Sequence, residues 1–75
     1  MTAEQMSAAV AREVARLLAE RGISGNQLAK QTGMAQTSIA SKLRGASAFT
    51  VDELAAICRV LDVTMPELME WAQKD

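Results

Sequence analysis

Gly22-Ile23-Ser24-Gly25-Asn26-Gln27-Leu28-Ala29-Lys30-Gln31-Thr32-Gly33-Met34-Ala35-Gln36-Thr37-Ser38-Ile39-Ala40-Ser41-Lys42-Leu43-Arg44-Gly45 is the stretch on which the reading of this chain turns. Ser24 with Gln27 three residues later has the form of a capping box, which satisfies two of the free amides at a helix start. A short helix from there ends near Gln31, and Gly33 supplies the left-handed conformation for a turn of about three residues. From Gln36 to Arg44, Ile39 and Leu43 fall one helical turn apart on one face, and Gly45 closes that segment. Two helices that cross tightly need a small residue at the crossing, a glycine at the turn and apolar anchors on both sides. Ala29, Gly33 and the set Leu28, Ile39 and Leu43 fill those roles, so residues 24–44 read as a helix-turn-helix.

Outward from that motif the same signals repeat. Thr2 with Gln5 opens a first helix over about Ala3 to Arg21, whose apolar positions Met6, Val10, Val14, Leu17 and Leu18 recur at steps of three and four. Gly22 stops it. After a small-residue loop from Ala46 to Phe49, Thr50 with Glu53 opens a fourth helix carrying Leu54, Ile57, Cys58 and Leu61 on one stripe. Thr64 with Glu67 opens a fifth, holding Leu68, Met69 and Trp71 and ending near Gln73. Pro66 lies in its first turn, where a missing N–H costs nothing. The expected architecture is all-α: a compact bundle of about five short helices, one domain over residues 1–75, with no strand pattern, repeat or linker.

Composition narrows the function. In 75 residues, 49% hydrophobic, the aromatic side chains are Phe49 and Trp71 alone, so aliphatic residues and Met build the core. A single cysteine, Cys58, forms no internal disulfide, and without histidine there is no metal site or His-dependent catalysis to expect. Cys58 and Met34 read as core. No apolar run approaches the roughly 18 to 20 residues that span a bilayer, so the expectation is a soluble protein of the bacterial cytosol or a phage-infected host. The remaining carboxylates are scattered over helix surfaces, which predicts no enzyme, no cofactor and no small-molecule ligand.

The net charge of −1 is unevenly spread. Residues 21–51 carry Arg21, Lys30, Lys42 and Arg44 with no acid. The flanking segments are acidic, the last of them through Asp52, Glu53, Asp62, Glu67, Glu70 and Asp75. A positive middle in an acidic chain suits a surface that meets phosphate. With Ile39 and Leu43 inward, the opposite face of the third helix presents Gln36, Thr37, Ala40 and Ser41. Gln can bond adenine through both amide groups, hydroxyls donate or accept, and Ala or a Thr methyl can rest on the methyl of thymine. Asn26, Lys30, Lys42 and Arg44 are the expected phosphate contacts that set the register. Taken singly, each of these is an ordinary solvated side chain; their gathering on one turn motif free of acids favours double-stranded DNA.

The segment resembles the helix-turn-helix of the phage lambda repressor and Cro family. The resemblance rests on Gly22-Ile23-Ser24, Leu28-Ala29, Gly33-Met34, Gln36, Ser38-Ile39, Leu43-Arg44-Gly45, Thr50-Val51-Asp52-Glu53-Leu54 and Leu61-Asp62-Val63, and continues to about Ala72. It implies a regulator of transcription, repressor-like, that binds a palindromic operator as a homodimer and reads it with Gln36 first, then Thr37 and Ser41, with Arg44 on phosphate. One position departs from the pattern: Gly25 stands where many members carry a Gln that braces the first glutamine of the reading helix. Met65, Met69 and Trp71 lie close together near the acidic C-terminal end and form the candidate dimer contact, the other reading of Trp71 being a cap on the core. The alternative function is a protein-interaction module, of antitoxin or antirepressor type, acting through the fourth and fifth helices. A third possibility is a DNA-binding part of a larger excision or packaging complex.

Overall fold

The computed structural model describes residues 2–74. Asp75, counted above among the C-terminal acids, lies outside the described residues, as does Met1. Five helices follow one another: α1 Ala3–Arg21, α2 Gly25–Thr32, α3 Gln36–Leu43, α4 Val51–Leu61 and α5 Met65–Lys74. There is no strand among the described residues.

Helix starts follow their expected chemistry. Thr2, Ser24 and Thr50 each accept a hydrogen bond from the amide three residues on, and Gln5, Gln27 and Glu53 reach back to the cap amide. Thr64 and Glu67 make the same reciprocal pair at α5, with Thr64 N–H donating to Glu67 Oε1 at 2.9 Å and Glu67 N–H donating to Thr64 Oγ1 at 3.2 Å. Three boundaries differ by one residue from the sequence expectation: α2 runs through Thr32, α5 through Lys74, and α3 stops at Leu43 with Arg44 as its C-cap.

Two of the connectors share one design. After α1, Gly22 takes φ 65° and Ile23 N–H donates to Leu18 O at 3.0 Å. After α4, Asp62 takes φ 57° and Val63 N–H donates to Cys58 O at 3.0 Å. In each, a left-handed residue ends the helix, the next apolar side chain plugs the core, and a hydroxyl residue caps the helix that follows. Ile23 and Val63 are both partly buried against that core.

The core lies where α1, α2, α4 and α5 meet. Val14, Leu28, Ile57, Leu68 and Ala72 are fully buried, and Leu17, Leu18, Ile39, Cys58 and Leu61 nearly so. Each large aliphatic side chain so buried contributes about 1.5 to 3 kcal/mol. The close packings pair α1 with α5, α1 with α3, α2 with α3, α2 with α4, and α4 with α5. Cys58 and Met34 lie in or against the core, as read from the sequence. Cys58 Sγ sits 3.7 Å from Met65 Sδ, and burial pushes the thiol pKa up. One charge is also buried: Glu13 on α1 is 1% exposed, and its carboxylate accepts from Arg16 Nε at 2.8 Å. Arg16 also bonds Glu20, and its guanidinium pKa is raised, first through the hydrogen bond to Glu13.

Candidate nucleic-acid interface

The turn between α2 and α3 is built by Thr32, Gly33 and Met34. Thr32 Oγ1 donates to Leu28 O at 2.8 Å and accepts from Met34 N–H at 3.4 Å, which ties the end of α2 to the start of the turn. Gly33 follows at φ 78°, and its N–H donates to Ala29 O. At that angle a β-carbon crowds the neighbouring carbonyl, so glycine belongs there. Met34, partly buried, anchors the turn on the core. The N-terminus of α2 comes against the middle of α3 at Gly25, whose α-carbon faces Ile39.

Helix α3 opens one face to solvent. Ile39 is its one buried residue, and Ser38, Ser41, Lys42 and Leu43 are partly covered. Gln36, Thr37 and Ala40 are exposed, so three of the four expected base-reading side chains are open to a ligand while Ser41 is half-buried at the edge of that face. Ala35 caps α3 with no side-chain hydrogen bond. Its first-turn amides are therefore not taken by a cap side chain, and neither α2 nor α3 has an acid in its first turn. This arrangement suits a negatively charged group approaching both helix starts.

The expected phosphate contacts divide. Asn26, Lys30 and Arg44 are exposed, and Lys30 and Arg44 form no ion pair among the described residues. Lys42 differs from the expectation. Its Nζ lies 2.6 and 2.7 Å from the two carboxylate oxygens of Glu53, and its side chain is only 14% exposed. The acid comes from α4, across the loop, which is why a count of charges along residues 21–51 missed it. Glu53 was legible as a capping residue, and its Oε1 does accept from Thr50 N–H at 2.8 Å. The hydrogen bond from Lys42, first, and that from the Thr50 amide hold the Glu53 carboxyl below its ordinary pKa.

Met65, Met69 and Trp71 are all partly buried and packed against the core. Met69 also lines a shallow, largely apolar groove of about 250 Å³ with Met6, Val10, Phe49 and Leu54. Among the described residues, Val51, at the start of α4, is the large hydrophobic residue left open, at 72% exposure. No signal in the sequence set Val51 apart from the apolar residues around it. Among the described residues, no group of three His, Cys, Asp or Glu side chains is placed to hold a metal ion, and no helix is long and apolar enough to cross a membrane.

A comparison with curated proteins finds no match. The family model of the Cro/C1-type HTH DNA-binding domain matches residues 13–74, which takes in the latter part of α1 and every later helix. With most of its length matched and its turn motif built as described, the chain belongs to the Cro/C1-type helix-turn-helix family of DNA-binding regulators.

Proposed function

We propose that this protein is a sequence-specific regulator of transcription, repressor- or Cro-like and of phage or bacterial origin, which lays α3 in the major groove of double-stranded DNA. The observation that carries the reading is the open face of α3, with Gln36, Thr37 and Ala40 exposed on a helix whose start has no side-chain cap. Gln36, Thr37, Ala40 and Ser41 read base edges; Asn26, Lys30 and Arg44 hold phosphates. The protein acts in the cytosol as a homodimer on a palindromic operator. Extents of 32 × 24 × 21 Å suit one protomer per half-site, because successive major grooves on one face of DNA lie roughly 34 Å apart. The partly buried Met65, Met69 and Trp71, with the apolar groove that Met69 lines, support a contact between protomers.

Selection of binding sites from a random duplex pool at low salt, with Gln36→Ala run beside the wild type, tests this reading. The expected result is an inverted repeat that loses information at one position per half-site in the variant, with a cost of about 1 to 3 kcal/mol at that site. Equal affinity for every duplex would sink it. The same apolar groove and the acidic α4–α5 surface favour a second reading, an interaction module of antitoxin or antirepressor type that binds a protein partner. Salt separates the two: affinity for DNA falls steeply between about 50 and 200 mM, whereas an apolar contact persists.

A further inference from the structure

Helix α3 packs closely on α1 and α2, with Ile39 its one buried side chain and Leu43, in its last turn, partly buried against the core. A helix held by a few apolar contacts on one face retains freedom to rock about them unless another constraint fixes its far end. Leu43 gives that end a non-directional apolar contact, and Lys42, beside it in the last turn of α3, adds a directional one. Its stem is covered, and its ammonium is gripped by both oxygens of Glu53, in the first turn of α4. Glu53 is itself immobilised, since Oε1 accepts from Thr50 N–H and Glu53 N–H donates to Thr50 Oγ1 at 3.1 Å. The capping box of α4 thus doubles as a polar anchor for the C-terminal end of α3, beside the apolar one at Leu43.

We propose that Lys42 and Glu53 are positioning residues for DNA reading: the pair sets the tilt of α3, and Lys42 contributes geometry rather than phosphate neutralisation. The inference rests on the assignment of α3 as the reading helix. A charge already paired releases few counterions when DNA arrives, so its removal leaves the salt dependence of binding almost unchanged. An unpaired lysine on a phosphate instead contributes about 0.9 to the slope of log affinity against log salt.

The test uses the full chain with Lys42→Met, Glu53→Gln, the double variant, Lys42→Arg and, as a phosphate benchmark, Lys30→Ala. Glu53→Gln retains an oxygen to accept from Thr50, so the cap on α4 survives while the charge is lost. Thermal melts establish that each variant is folded, and affinity is then measured across a salt series on the selected operator and on an unrelated duplex. Lys42→Met and Glu53→Gln are expected to weaken operator binding alike, roughly five- to thirty-fold, with the double variant no weaker than either, as for two members of one unit. Their slopes and their affinity for the unrelated duplex stay at wild-type values, and Lys42→Arg restores operator binding. A slope reduced by about 0.9 in Lys42→Met, with equal loss on both duplexes, would overturn the proposal and make Lys42 a phosphate contact. Additive losses would equally overturn it. If the wild type shows no preference for any duplex, the reading role of α3 falls first, and this inference with it.

Discussion

Gly25, at the first position of α2, lies directly over Ile39 of α3: a β-carbon built on Gly25 would stand 3.9 Å from Ile39 Cγ2. That is ordinary van der Waals contact, and the backbone there is not left-handed. The absence of a side chain at this position is therefore not imposed by crowding. Gly25→Ala is expected to stabilise the domain by about 0.4 to 1 kcal/mol, chiefly by restricting the unfolded chain. For a domain of this size that is a rise of a few degrees in Tm, read by a thermal melt. Gly25→Gln, whose β-carbon has the same room, is expected to tighten operator binding by bracing Gln36; unchanged affinity with an intact fold would show that Gln36 needs no such support.

Asp62 carries the opposite lesson, being the only non-glycine residue at positive φ among those described. It also places a negative charge at the C-terminal end of α4, where the helix dipole disfavours it. Asp62→Gly removes both costs and is expected to stabilise by about 0.5 to 1.5 kcal/mol. The reverse exchange at the equivalent connector, Gly22→Asp, is expected to destabilise by about 1 kcal/mol. Urea titrations of the two variants should move in opposite directions; a shared direction would break the equivalence of the two connectors.

Acid should loosen the fold through two caps. Glu53 and Glu67 both have carboxyl pKa values lowered in the folded state, Glu53 first by Lys42 and Glu67 first by the Thr64 amide. Each group binds its proton less readily when folded than when unfolded, so its stabilising effect is complete above the ordinary carboxylate value of 4.5 and is lost as pH falls through the lower folded value. Urea midpoints measured from pH 7 down to pH 3 are expected to fall below about pH 4.5. The combined Glu53→Gln and Glu67→Gln variant should flatten that decline, and an undiminished decline would place the titrating groups elsewhere.

The thiol of Cys58 should be inert. It is 4% exposed, lies against Met65 Sδ, and has its pKa raised by burial, so little thiolate forms at neutral pH. Ellman's reagent is expected to label it only after denaturation. Cys58→Ser, which puts a hydroxyl beside a weak sulfur acceptor, is expected to cost about 1 to 3 kcal/mol. Rapid labelling of the native protein would require an opening of the α4–α5 contact.

Much of this molecule was legible as sequence because its decisive signals are local. A capping box joins residues three apart, as in Ser24 and Gln27, and depends on the order of side chains along the chain. Gly22, Gly33 and Gly45 all stand at positive φ because a left-handed residue disfavours any side chain. The apolar steps of three and four likewise set Ile39 and Leu43 on one side of α3 and Thr37 on the other before any packing is known. Helix boundaries, the turn motif and the open face of α3 follow from such short-range terms.

What required the tertiary structure involves partners distant in sequence or residues that break a local preference. Lys42 and Glu53 are eleven residues apart, and only the path of the loop between α3 and α4 decides that a lysine from the acid-free segment is neutralised there. Glu13 stands three residues after Val10 and four before Leu17, on the apolar stripe of α1, and the packing around α1 buries a charge that hydropathy alone would leave in solvent. Val51 and Leu54 are one helical turn apart on α4, but Leu54 is covered and Val51 open. Hydropathy ranks side chains by their preference for burial, while the positions of the neighbouring helices decide which of them obtain it.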